Sequence, residues 1–314
     1  MTKIDHDLML LLGGLFGILV IASVIGGGLA LWSSREKSNA TIDNLNARIR
    51  SWWMMCIVCV IAIITGPVGA VILFAVMSFL ALREFITLIP THRSDHGVLF
   101  CCFFVFMPVQ YALIGGQWYG LFSVFIPVYV FLFLPACIAL AGDTTHFLER
   151  TAKIQWGMLL TVFALSHAPA LLMLDIPEYK DQNIKLLLFL MIVVQMSDVL
   201  QYVFGKLFGK HPIVPKLSPN KTVEGFVGGV VASVLLGISL FWVTPFSPWQ
   251  AGLMSLAMTL MGFIGGLCMS AMKRDSGVKD FGGIIGGHGG MLDRIDSLCF
   301  AAPIFFHLTR YFYT

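Results

Sequence analysis

Runs of about 18 or more apolar residues recur along this chain almost to its last residue, and no other feature narrows its fold as much. A run of that length crosses the hydrocarbon core of a bilayer as a helix, and in lipid only helices and closed barrels satisfy their own backbone. Candidate spans cover residues 8–32, 52–66, 68–88, 98–115, 118–141, 155–174, 184–205, 225–245, 249–272 and 292–313. With 58% hydrophobic residues among 314, no room is left for a sizeable soluble domain. The expected fold class is all-α, a polytopic integral membrane protein of about ten transmembrane helices with a cytoplasmic polar site at the span ends. The first run, Leu8–Trp32, is long for a signal-peptide core and has no small-residue cleavage pattern before Arg35, so it reads as a retained span.

Charge placement sets the orientation. The linker 33–50 carries Arg35, Lys37, Arg48 and Arg50, and the next hydrophilic loop carries Arg83 and Arg93. Both belong in the cytoplasm, so two crossings must separate them. The 52–88 region therefore reads as two helices turned at Gly66-Pro67. Arg150 and Lys153, then Lys206, Lys210, Lys216 and Lys221, then Lys273, Arg274 and Lys279 fall on the same inner side, which leaves both termini outside. Residues 33–50 read as an interfacial amphipathic helix or as a plain linker. The seven cysteines all lie inside apolar runs and behave as small hydrophobes; Cys56 and Cys59 have CxxC spacing but no partner pair.

Against that apolar background, Ser270–Asp296 (SAMKRDSGVKDFGGIIGGHGGMLDRID) gathers Lys273, Arg274, Lys279, Asp280, His288, Asp293, Arg294 and Asp296 between two apolar runs. Only 12% of the chain is charged, and charge at the edge of hydrocarbon is costly, so the cluster reads as a functional site. Six glycines between Gly282 and Gly290 allow backbone N–H groups to approach a ligand closely. Cations, bare backbone donors and carboxylates able to hold a divalent metal are the parts that phosphate chemistry requires. The structural alternative is a solvated cytoplasmic loop. Asp293 and Asp296, three apart at the start of the last span, can face one site about 5–6 Å apart at Cβ.

A second polar stretch, Ser197–Gly229, precedes the eighth span. Asp198 lies in an apolar helix, with Gln195, Gln201 and Tyr202 at offsets that put them on or near its face. Such a stripe faces the bundle interior, as a binding site or as a structural hydrogen-bond network. Farther on, Ser218-Pro219-Asn220-Lys221-Thr222 leads into the eighth span. Ser218 can cap that helix with Pro219 in its first turn, or Thr222 can cap it later. Either choice aims free N–H groups at the cytoplasmic surface beside Lys221, which makes an anion seat.

Together the two stretches resemble the phosphatidate cytidylyltransferases, or CDP-diacylglycerol synthases. The C-terminal signature of that family is matched by Ser270, Lys273-Arg274, Lys279-Asp280, His288-Gly289-Gly290 and Asp293-Arg294-Ile295-Asp296 with every spacing kept. The upstream pattern is matched by Asp198, Tyr202, Gly205-Lys206, Gly209-Lys210 and Ser218–Thr222. The resemblance covers about residues 195–300 and implies N-terminal transmembrane helices over 1–180 and a catalytic membrane region over 181–314, in one integral unit. It implies transfer of CMP from CTP to phosphatidate, giving CDP-diacylglycerol and pyrophosphate, in phospholipid biosynthesis. The implied cofactor is Mg2+, with a place for a second cation. The implied partners are CTP, phosphatidate, the lipid bilayer and a second copy in a homodimer, with no nucleic acid polymer; the implied location is the bacterial-type cytoplasmic membrane.

Carried onto this chain, the catalytic set is Lys273, Arg274, Lys279, Asp280, His288, Asp293, Arg294 and Asp296. The substrate-binding set is Asp198, Tyr202, Ser218, Pro219, Lys221, Thr222, Gly289 and Gly290, and the metal ligands are Asp293, Asp198 and Asp280. His288 is a phosphate contact, a proton shuttle or an idle loop residue. One departure stands out. The family usually has Gly-Asp-x-x-Glu-Ser before the signature, with its Asp a metal ligand, whereas this chain has Gly266 and Met269 at the two acidic positions. The alternatives it raises are another acid such as Asp198 in place of the missing ligand, a catalytically altered or inactive relative, another lipid phosphate as acceptor, or a transport-type membrane protein.

Overall fold

Each long apolar run is helical in the computed structural model, which describes residues 6–33, 40–283 and 289–314. Helix α1 is His6–Ser33 and α2 is Ala40–Ile64. Gly66, with φ 87°, turns the chain into α3, Pro67–Thr87, where Pro67 needs no helical N–H partner. Then come α4 (Arg93–Gly115), α5 (Tyr119–Leu140), α6 (Phe147–Met173) and α7 (Asn183–Phe208). A short hairpin of β1 (Pro212–Val214) and β2 (Ser218–Thr222) leads to α8 (Val223–Ser239), α9 (Pro248–Asp275) and α10 (Leu292–Tyr313).

Among the described residues, seven helices are long and apolar enough to cross a membrane: α1, α3, α4, α5, α6, α7 and α9. The expected count of about ten exceeds this measure. Ile49–Ala62 in α2 and α8 are apolar but short, and α10 starts with Asp293, Arg294 and Asp296. The two-helix reading of residues 52–88 matches the observed turn at Gly66. Of the 33–50 linker, residues 40–50 belong to α2.

The core is aromatic and aliphatic, with Phe74 of α3, Phe122 of α5, Phe189 of α7 and Phe305 and Phe306 of α10 fully enclosed. On one end of the bundle, a polar clamp ties the α3–α4 and α5–α6 connections. The Arg150 guanidinium lies 3.0 Å from Asp95 and 2.8 Å from Asp143. Asp143 also accepts bonds from the Thr145 N–H and the Ser94 hydroxyl, and these hold its carboxyl well below the usual carboxylate range. At the opposite end, Lys185 Nζ lies 3.0 Å from Asp7 and joins α7 to α1.

Candidate functional site

Helices α7 and α8 approach almost backbone to backbone. A Cβ on Gly229 would stand 2.7 Å from Gln201 Cα, and one on Gly225 would stand 2.8 Å from the Gln201 carbonyl. Glycine alone permits this spacing. The contact fixes the hairpin between the two helices, and Thr222 closes it. Its Oγ1 accepts from the Gly225 N–H at 3.2 Å, capping α8, while its side chain packs on Gly205 and Gly209. Thr222, rather than Ser218, is therefore the cap. Ser218–Thr222 is a strand paired with Pro212–Val214, a correction to the helical start that Ser218-Pro219 also allowed and an addition to the all-α expectation.

A cavity of about 460 Å³ opens beside this seam. From α7 it is lined by Gln195, Asp198, Gln201 and Tyr202, from β2 by Ser218, Lys221 and Thr222, and from α10 by Asp293, Arg294, Asp296 and Ser297. Helix α9 contributes Phe263 and Gly266, and α2 contributes Trp52. Two stretches far apart in sequence thus meet at one concave surface. Burial holds the Lys221 ammonium below the usual lysine range, against the opposing pull of Asp198 and Asp296. The positive end of α8 adds to the field at the same place.

Asp293 is the hub of the loop that precedes α10. Its Oδ1 lies 2.8 Å from Lys273 Nζ, and its Oδ2 accepts the N–H groups of Phe281 and Gly290 at 2.8 and 2.9 Å. Gly289 packs between Asp293 and Asp280, in a left-handed backbone (φ 78°) that favours glycine. Arg274 braces the loop to the hairpin through the Val278 and Leu217 carbonyls. Lys273 thus joins the cavity wall through Asp293. Arg274, Lys279, Asp280, Pro219, Gly289 and Gly290 are not among the residues that line the cavity; Lys279, Asp280 and Pro219 are exposed. His288 lies outside the described residues.

Glu84, on α3, is the component that sequence reasoning missed. Its carboxylate, 5% exposed, accepts the N–H groups of Met291 and Leu292 at 2.8 Å each and so holds the first turn of α10. Gly290 and Gly282 leave room for it, since a Cβ on either would clash with its oxygens. The signal was available: an acid in an apolar span is a functional candidate in its own right.

Among the described residues, no group of three or more His, Cys, Asp or Glu side chains is arranged to hold a metal ion. Asp293 spends both oxygens on Lys273 and two backbone donors, Gly266 offers no oxygen from its side chain, and Lys221 extends its ammonium toward Gly266.

A sequence model of the cytidylyltransferase family matches residues 46–312. The chain is 42% identical over 305 residues to a protein of Escherichia coli (strain K12) named "Uncharacterized protein YnbB", covering 96% of this chain and 97% of that one. It is also 40% identical over 129 residues to the phosphatidate cytidylyltransferase of Staphylococcus epidermidis (strain ATCC 35984 and its synonyms) and 39% identical over 129 residues to that of Staphylococcus aureus (strain COL). Each of these two matches spans 40% of this chain and 50% of the relative.

Proposed function

The chain belongs to the cytidylyltransferase family, and from that premise we propose that it transfers CMP from CTP to phosphatidate, forming CDP-diacylglycerol and releasing pyrophosphate. The observation that supports this reading is the convergence on one cavity of Lys221, Arg294 and the capped start of α8, with Lys273 behind Asp293. Both reactants are anions. Bringing them together requires fixed positive charge and oriented N–H groups to offset their repulsion and to stabilise charge gathering on the transferring phosphorus.

In this reading a phosphatidate oxygen bonds to the α-phosphorus of CTP as the bond from that phosphorus to the departing pyrophosphate breaks. Lys221, Arg294 and the α8 N–H groups hold the triphosphate. Asp198 and Asp296 keep those cations in place. Tyr202 and Trp52 also line the cavity, and the acyl chains stay in lipid while the headgroup enters. Mg2+ comes as part of the substrate, bound to the phosphates of CTP.

In this reading the short apolar Ile49–Ala62 segment and α8, together with α10, are further crossings, and the cavity faces the cytoplasm at the inner membrane. A homodimer belongs to the same reading. The test is pyrophosphate release by the purified protein supplied with CTP, Mg2+ and phosphatidate in mixed micelles. CDP-lipid formed in equal amount is the expected result, and a folded preparation that yields no product above background rejects the reading.

A further inference from the structure

The Lys221 ammonium sits where α9 has no side chain. A Cβ built on Gly266 would stand 2.7 Å from Lys221 Nζ and 3.8 Å from Ser297 Oγ. The same ammonium lies 4.8 Å from the centre of the Phe263 ring, one turn earlier on α9. Lys221 thus reaches from the hairpin across to α9, into a notch that glycine leaves open. There it shares one cavity with Asp198 on α7 and with Asp296 and Ser297 on α10, and the two carboxylates attract it. Asp293, the remaining acid of the cavity, is already taken up by Lys273, Phe281 and Gly290.

An ammonium and a divalent ion cannot occupy the same pair of carboxylates. Within one small cavity they compete for the same negative charge and repel each other, in a half-buried place where water screens poorly. We propose that Lys221 is the resident cation of this cavity: seated against Gly266, it neutralises Asp198 and Asp296, so that the protein without nucleotide binds no divalent metal there. The inference deepens the proposed function and rests on it in taking the cavity as the seat of a nucleoside triphosphate. Any metal in the reaction would then be bound by phosphate oxygens, and Gly266 becomes a determinant of how the site is charged, since any larger residue displaces the ammonium.

The experiment uses the full chain in lipid nanodiscs and titrates Mn2+ without nucleotide, reading free Mn2+ by electron paramagnetic resonance. The wild type is expected to show no site tighter than about 1 mM. Lys221→Met, which uncovers Asp198 and Asp296, is expected to bind Mn2+ at least about tenfold more tightly. Lys221→Gln serves as the second neutral variant, and thermal melting checks that each is folded. Stoichiometric Mn2+ binding by the wild type overturns the proposal, as does a folded Lys221→Met or Lys221→Gln that binds no better than the wild type. Should neither variant fold, the wild-type titration decides. Pyrophosphate release on the same wild-type preparation separates the two ideas. Turnover with Mn2+ bound before nucleotide keeps the function and removes the resident lysine, while the expected Mn2+ pattern without turnover does the reverse.

Discussion

Asp293 concentrates more of the site's structure than any other single side chain, because one carboxylate answers a lysine and two backbone donors. Asp293→Asn keeps the shape but exchanges one acceptor for a donor and leaves Lys273 without its counter-charge. Removing one partner of a buried pair costs about 3 kcal/mol, so its unfolding midpoint in detergent is expected to fall. On the proposed function, turnover is expected to fall by about 100-fold or more, because the loop would no longer hold its place beside the bound nucleotide. Lys273→Met in the same chain should recover much of the stability and none of the activity, as read by unfolding and by pyrophosphate release. Spacing alone made it clear that Asp293 and Asp296 share a face, and both line the cavity. It could not tell that the N–H groups of Phe281 and Gly290 would reach Asp293, since residues outside helices and strands have no periodicity from which to read a partner.

At the scale of elements, the start of α10 is held from outside its own sequence. Glu84 supplies the two acceptors that the first turn of α10 lacks. Glu84→Gln replaces one oxygen with a donor facing N–H groups, at a cost of about 1–3 kcal/mol. The amides of Met291 and Leu292 are then expected to exchange hydrogen faster, and turnover to fall, with the rest of the exchange map unchanged. Exchange at those two amides equal to the wild type would remove Glu84 from this role. The helices were legible because hydrocarbon admits few alternatives, and Gly66-Pro67 marked its turn chemically. The strand at Ser218–Thr222 was not, because its pairing with Pro212–Val214 depends on the close approach of α7 and α8, which the glycines allow but do not announce.

For the whole molecule, the two motif-bearing stretches and the Arg150 clamp lie at one end of the bundle, and the Lys185–Asp7 pair lies at the other. If that first end faces the cytoplasm, a membrane-impermeant maleimide should label Lys216→Cys in inverted vesicles and Lys180→Cys in spheroplasts, both in a background lacking the native cysteines. Labelling of both from the same side would refute the orientation. The positive-inside pattern grouped these loops at one end from charges alone, and the labelling tests which side that end faces. The contact from Glu84 to the last helix was invisible to it, because the two partners are 207 residues apart. That distance matters to anyone recombining such chains. A hybrid that kept both signature stretches and borrowed its opening helices elsewhere would possess every recognisable catalytic letter, yet its final helix would begin adrift unless the donor also brought an acid to the place of Glu84.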